Sequence, residues 1–213
     1  MESDKCFRNA RIYIAKIYVM IRPYESSGVM THNPEKLERA DRLEELAAAT
    51  TLQRFGFNEG AVLCDIGAGS GIFTFVAAGI TNKTVYAVEI SQNMLELLRS
   101  RTKEYASSNV IVEENIAGVP TDSCDMALLS CVLHEVADVP AMLFEINRIL
   151  KTGGSLVIIE FHKRKTPAGP PVDERLSEED TAALLEAYPF SLKDRFVMGE
   201  NYYALRFVKT LAD

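Results

Sequence analysis

The sequence predicts a doubly wound α/β fold, a mostly parallel sheet with helices on both faces. Three observations carry the prediction. Between residues 60 and 161, short runs rich in Val, Ile and Leu alternate with segments of helical periodicity. The runs are continuously apolar, as strands are when helices cover both faces of a parallel sheet. The tail "FSLKDRFVMGENYYALRFVKT" instead reads as two alternating runs joined by "MGEN", so the sheet should end in an antiparallel β-hairpin and count seven strands.

The elements follow in order. "ARIYIAKIYVMIRPY" fits a strand through Ile12 and Ile14 as well as a helix through Ile14, Ile17 and Ile21. "NPEKLERADRLEELAAATTLQRFG" spaces Leu37, Leu43, Leu46 and Leu52 as one amphipathic helix or a pair, with Pro34 near the start and Gly56 past the end. Five strands are expected at "AVLCDIG", "TVYAVEI", "NVIVEEN", "CDMALLSCV" and "SLVIIEF". Among the helices between them, Ser91 should cap "QNMLELL" and Asp138 the helix with Pro140 in its first turn, which "KTGG" should end. Beyond the fifth strand, "HKRKTPAGPPVDERLSEED" is a polar, proline-rich loop; Ser177 and Asp180 form a capping box at the helix after it. The expected organisation is a single domain over 1–213: an N-terminal helical or lid extension at 1–50, a core at 58–161, and a loop, helix and hairpin at 162–213.

Composition narrows the function. Lys and Arg number 23 against 30 Asp and Glu, a net charge of −7, and no basic stripe is offered to a nucleic acid. No uncharged apolar stretch reaches the roughly 20 residues that a membrane span needs, so no stable membrane insertion is expected. Lys16 interrupts the N-terminal apolar run and no small-residue cleavage site follows, unlike a signal peptide. Cys6, Cys64, Cys124 and Cys131 form no C-x-x-C pair and read as reduced thiols of a cytoplasmic protein, without a metal site. Oligomeric state is open, with a homodimer allowed for.

"DIGAGSGIFTF" carries the chemistry. Gly67, Gly69 and Gly71 stand in the first strand-to-helix turn, where α/β sheets bind ligands, and Ala68 lies between the first two. Lacking Cβ atoms, the glycines allow positive φ and direct contact between backbone and ligand. A dinucleotide fingerprint would read G-x-G-x-x-G; here the spacing is G-x-G-x-G. Asp65, just before the loop, would repel a pyrophosphate but suits a cationic amine, held directly or through water. Glu89 ends the second strand, where a carboxylate can accept two hydrogen bonds from a ribose diol.

These blocks resemble the class I S-adenosylmethionine-dependent methyltransferases, over about Val62 to Phe161. "VLCDIGAGSG" is similar to their first motif, "VYAVEIS" to the second, "NIAGVPTDSCDMALLSCVLHEV" to the third and fourth, and "INRILKTGGSLVIIEF" to the fifth. The small ubiquinone/menaquinone biosynthesis C-methyltransferases are the nearest in character. The resemblance implies a Rossmann-like fold and S-adenosyl-L-methionine as cofactor. The methionine part would lie on Gly67 and Gly69, the ribose on Glu89, and the adenine edge on Asn115 with Ile116. Asn115 stands where the family has Asp, which removes charge assistance, and Glu113 or Glu114 could serve if the register slips. Ile90 and Met94 would sandwich adenine, though both also fit a core; Ser130 would lie beside the methionine part or simply hold a turn.

Methyl transfer from a sulfonium is an in-line displacement that asks the protein for positioning and, for a weak nucleophile, a base. The candidates at strand ends are His134, Glu135, Glu160 and His162. Burial under the next helix is the competing role for His134, and surface exposure for Glu160 and His162. A small-molecule acceptor should meet the segments outside the common core, through Tyr24 and His32 or the basic loop of Lys163, Arg164, Lys165 and Arg175, which would suit an anion. An NAD(P)-dependent oxidoreductase and a non-catalytic nucleoside-binding protein are the alternatives.

Overall fold

The computed structural model describes residues 34–211. Cys6, Tyr24, His32 and the "ARIYIAKIYVMIRPY" segment lie outside the described residues. In chain order the elements are α1 (Pro34–Leu37), α2 (Ala40–Leu46), α3 (Ala48–Arg54), β1 (Leu63–Ile66), α4 (Ile72–Ile80), β2 (Val85–Val88), α5 (Gln92–Glu104), β3 (Val110–Glu113), β4 (Cys124–Ser130), α6 (Val139–Ile149), β5 (Leu150–Phe161), α7 (Glu178–Leu185), β6 (Phe190–Met198) and β7 (Tyr202–Lys209). Single 3₁₀ turns follow β3, β4 and the loop after β5.

The seven strands run in the order β3-β2-β1-β4-β5-β7-β6. β1 to β5 are parallel, and β7 enters antiparallel between β5 and β6. All four residues of β1 are buried, the mark of a strand covered on both faces. Cys64, Ile66, Ala127, Leu129, Leu156 and Ile158 face α6 and α7; Leu63, Leu128, Val157 and Ile159 face α3 and α4. Strand order reverses between β1 and β4, so the loops after them, at Gly67 and Cys131, flank the crevice where such sheets bind ligands.

Local signals set most helix starts. Asp138 Oδ1 accepts the Ala141 N–H at 3.0 Å with Pro140 in the first turn, and Ser177 Oγ accepts the Asp180 N–H at 3.0 Å. Ser91 stands at the start of α5 but its side chain makes no capping bond; its backbone N–H donates to Glu89 Oε1. The "KTGG" glycines do not end α6: the helix stops at Ile149, Leu150 is already extended, and residues 151–154 enter β5 through a register irregularity against β4. The described residues before β1 form three short helices, of which α2 and α3 are separated by Ala47 at φ +39.

The segment 34–46 is a strap across the carboxyl end of the sheet. At one end Glu38 pairs with Arg101 of α5, whose Nη1 also donates to the Ser70 carbonyl at 2.7 Å; this pairing lowers the Glu38 carboxyl below its usual range. At the other end Glu45 accepts the Glu200 and Asn201 N–H groups at 2.6 and 3.2 Å and the Asn201 amide at 2.5 Å. The strap thus ties the glycine loop to the turn of the hairpin.

Candidate active site

The glycine loop is built as its spacing requires. Gly67, Gly69 and Gly71 have φ +70, +56 and +88, where an L side chain is strained. The Gly67 and Ala68 N–H groups donate to the Val88 carbonyl at 2.8 and 3.0 Å, stitching the loop to the end of β2. A Cβ on Gly67 would strike Val132 across the crevice, and one on Gly69 would come within 3.2 Å of Leu37 of the strap.

Two carboxylates flank this loop. Asp65 is 2% exposed and accepts from Thr74 Oγ1 at 2.6 Å. Burial raises its pKa to about 6, against the Thr74 bond, which lowers it; the Glu89 charge adds to the rise. Glu89 is also buried, and its Oε2 accepts the Gly69 N–H at 2.8 Å while Oε1 accepts those of Ile90 and Ser91, each at 2.8 Å. A carboxylate has about four acceptor positions, so one remains for a hydroxyl beside the loop. Glu89 therefore has a role not read from the sequence: it fastens the glycine loop to the start of α5.

The remaining cofactor candidates are more mixed. Met94 and Ile116 are buried and Ile90 is half-buried. Asn115 Oδ1 accepts the Ala117 N–H at 3.0 Å, capping the 3₁₀ turn Ile116–Gly118, so its acceptor oxygen already has a local partner. Glu114 is in a surface pair with Arg99, and Glu113 lies against Gly118. Ser130 Oγ, at the end of β4, is buried and meets no partner in hydrogen-bond geometry among the described residues, as a group kept for a ligand would.

His134 and Glu160 come together across the ends of β4 and β5. His134 Nδ1 is 2.8 Å from Glu160 Oε2, and the His134 N–H donates to Glu160 Oε1 at 3.3 Å. Their side chains are 7% and 1% exposed. Burial alone would depress the His134 pKa, but the Glu160 hydrogen bond and the charges of Glu160, Glu135 and Glu174 outweigh it and hold it above 6.5. With Glu160 taking the Nδ1 proton, Nε2 is left as the acceptor, 3.6 Å from Glu135 Oε1.

His162 does not join this pair. Its ring packs 5.7 Å from Tyr203, its buried Nε2 meets no partner among the described residues, and burial followed by the Arg164 charge lowers its pKa. The basic loop is corrected in part. Arg175 is 5% exposed, and its guanidinium donates to the carbonyls of His162, Arg164, Ala168 and Pro170 and to Thr166 Oγ1. It holds the loop's backbone together, each of its three nitrogens donating within the loop; Lys163 pairs with Asp180.

Residues 64–158 match a family model described as a methyltransferase domain. A solved S-adenosylmethionine-dependent methyltransferase from Aquifex aeolicus superposes with a TM-score of 0.78 at 25% identity, covering 83% of this chain and 96% of that one. The matched stretch is similar to a methyltransferase domain, and the chain shares the fold of S-adenosylmethionine-dependent methyltransferases. The demethylmenaquinone methyltransferase of Tropheryma whipplei (strain Twist) is 32% identical over 111 residues, 52% of this chain and 46% of that protein. A ubiquinone/menaquinone biosynthesis C-methyltransferase UbiE of Hydrogenovibrio crunogenus is 32% identical over 118 residues, 53% and 46%. The chain spans about half the length of the curated relatives it matches.

The residues of the crevice are of a kind that suits S-adenosylmethionine. Gly67 and Gly69 leave backbone where a side chain would otherwise stand, Asp65 lies beneath that floor, and Glu89 borders it with an acceptor position open. Thr74, Arg101 and Glu45 were not legible as parts of the site. Thr74 reads as one polar residue in an apolar helix, and the other two act through residues 31 to 156 positions away.

Proposed function

We propose that the protein transfers a methyl group from S-adenosylmethionine to a small-molecule acceptor, with His134 as the base and Glu160 as the residue that orients it. The observation that carries the cofactor reading is the 2.8 Å bond from the Gly69 N–H to Glu89, which puts the acidic end of β2 against the middle glycine of the loop. The amino-acid and ribose parts of one ligand can rest on those two neighbours. Asp65 would hold the amine, Met94, Ile90, Asn115 and Ile116 the adenine, and Ser130 the methionine end. When bound, the sulfonium supplies an electrophilic methyl group and leaves as a neutral thioether.

The chain's own contribution is proton handling and exclusion of water. Glu160 fixes the His134 tautomer and stabilises the imidazolium that forms when Nε2 accepts the acceptor's proton. The strap closes the glycine loop on one side and reaches the hairpin turn on the other. The free thiols of Cys64, Cys124 and Cys131 support a cytoplasmic setting.

The test is transfer from a labelled donor to acceptors of the kind in the relatives' names, demethylmenaquinone first, followed against pH. Only neutral imidazole is a base, so the rate should rise with pH through a midpoint above 6.5. Glu160→Gln removes the charge that raises this midpoint, so the midpoint should fall and the plateau drop by about 10²-fold. Cofactor binding with no transfer to any acceptor would contradict the reading and favour a non-catalytic binder.

A further inference from the structure

A largely buried ion pair lies on α6. Glu145 and Arg148 stand one turn apart with side chains 6% and 23% exposed, and Glu145 Oε2 accepts from Arg148 Nε at 2.8 Å and from Nη2 at 2.7 Å. Removing two charges from water costs about what their attraction returns, and apolar side chains of similar volume often serve as well in such a place. The purpose of the pair is therefore read from what the rest of the guanidinium holds. Nη2 donates to the Ile116 carbonyl at 3.0 Å and Nη1 to the Val119 carbonyl at 2.8 Å, so one planar fork grips both ends of the 3₁₀ turn Ile116–Gly118. The Arg148 carbonyl accepts the Asp122 N–H at 2.9 Å, which gathers the following residues onto the same end of α6.

The turn belongs to the same row of strand ends as the glycine loop. The loop follows β1, Glu89 follows β2 and the turn follows β3, and these three strands are successive neighbours in the sheet. The Glu89 N–H donates to the Glu113 carbonyl at 3.0 Å, so the turn starts beside Glu89. Ile116, 2% exposed, shares an apolar core with Val88 and Val132, and Val132 is the side chain that a Cβ on Gly67 would strike. A ligand with its amino-acid part on the glycine loop and its ribose at Glu89 has its base next in that row, at the turn.

We propose that Arg148, backed by Glu145, is a positioning residue for the nucleobase: it sets the turn from which Asn115 reads the amino edge of adenine. This rests on the cofactor reading above. Asn115 Oδ1 gives one lone pair to the Ala117 N–H at 3.0 Å and keeps a second for an outside donor. Where that second lone pair points depends on the turn, and the turn is held by the guanidinium through two carbonyls at once. An ammonium in its place is a single point of charge and cannot hold both with the same geometry.

The probes are S-adenosylhomocysteine and S-inosylhomocysteine, which differ only at the base, where a carbonyl oxygen replaces the 6-amino group. Titrated calorimetrically into the full chain, the wild type should prefer the adenosyl compound by about tenfold or more. Arg148→Lys should bring that preference down to about threefold or less, by weakening the adenosyl compound and leaving the inosyl one nearly as it was. The double variant Glu145→Leu with Arg148→Met removes both charges together, keeps the fold and should lose the preference in the same way. In the wild type, exchange of the Ala117, Gly118 and Val119 amides should slow with the adenosyl compound more than with the inosyl one. Variants that keep the wild-type preference overturn the proposal, and so does an equal loss of affinity for both compounds, which is what a merely structural role would give. Exchange at the turn that neither compound changes overturns it without recourse to any variant. A wild type that binds neither compound refutes the cofactor reading itself, whereas binding of both without preference refutes the role of Arg148 alone.

Discussion

Asp65 is a carboxyl kept from water below the glycine loop, with Thr74 as its hydrogen-bond donor. Its folded pKa of about 6 exceeds the ordinary 3.8, so the folded state binds the proton more tightly than the unfolded one. Stability is therefore lost as pH rises from about 4 to 6, and above that range the buried charge costs on the order of 3 kcal/mol. Asp65→Asn should be as stable as the wild type near pH 4 and more stable by about that amount at pH 7.5, by urea denaturation. On the proposed cofactor reading, the same variant should also bind S-adenosylmethionine more weakly, having lost the charge proposed to meet its amine. Equal stability at pH 7.5 would contradict the assignment. The sequence showed an acidic residue before the loop; it did not show Thr74, because the pair forms only once α4 packs on β1. In the same way "LHE" and "IIEF" marked His134 and Glu160 as strand-end candidates. That they share a 2.8 Å bond follows from the neighbouring positions of β4 and β5, whereas His162, two residues on, goes to Tyr203.

At the scale of elements, Glu89 links three pieces: the end of β2, the glycine loop and the first turn of α5. Glu89→Ala should therefore do more than remove a ribose contact. It leaves three backbone N–H groups without their acceptor, and each buried unpaired donor costs about 1 to 3 kcal/mol. The ligand-free variant should lose about 2 to 4 kcal/mol of stability, and hydrogen exchange should quicken at Gly69, Ile90 and Ser91. Unchanged exchange at those amides would show that the carboxylate does not hold the loop. Periodicity and turn chemistry made the strands, α6, α7 and the hairpin legible, because those signals are local. Ala47 was not, since alanine in the left-handed region has no sequence signature and is imposed by packing of Leu46 and Ala48 on either side. Nor was the early end of α6, where pairing with β4 draws residues 151–154 into the sheet despite their glycines.

Across the whole molecule, the strand order brings Gly67 and Cys131, 64 residues apart in the chain, to the two sides of one crevice. The strap then covers that crevice from the glycine loop to the hairpin. The glycine loop and the acidic end of β2 were legible because they are written in short contiguous blocks, "DIGAGSG" and "YAVEI". The pairing of His134 with Glu160 was not, since it forms only across the ends of β4 and β5. The central claim is that this crevice seats a sulfonium amino acid joined to a nucleoside rather than a dinucleotide. Its most direct test is calorimetric titration of the purified chain with S-adenosylhomocysteine and with NAD. The structure predicts saturable binding of S-adenosylhomocysteine and none of NAD; tight NAD binding without S-adenosylhomocysteine binding would contradict it.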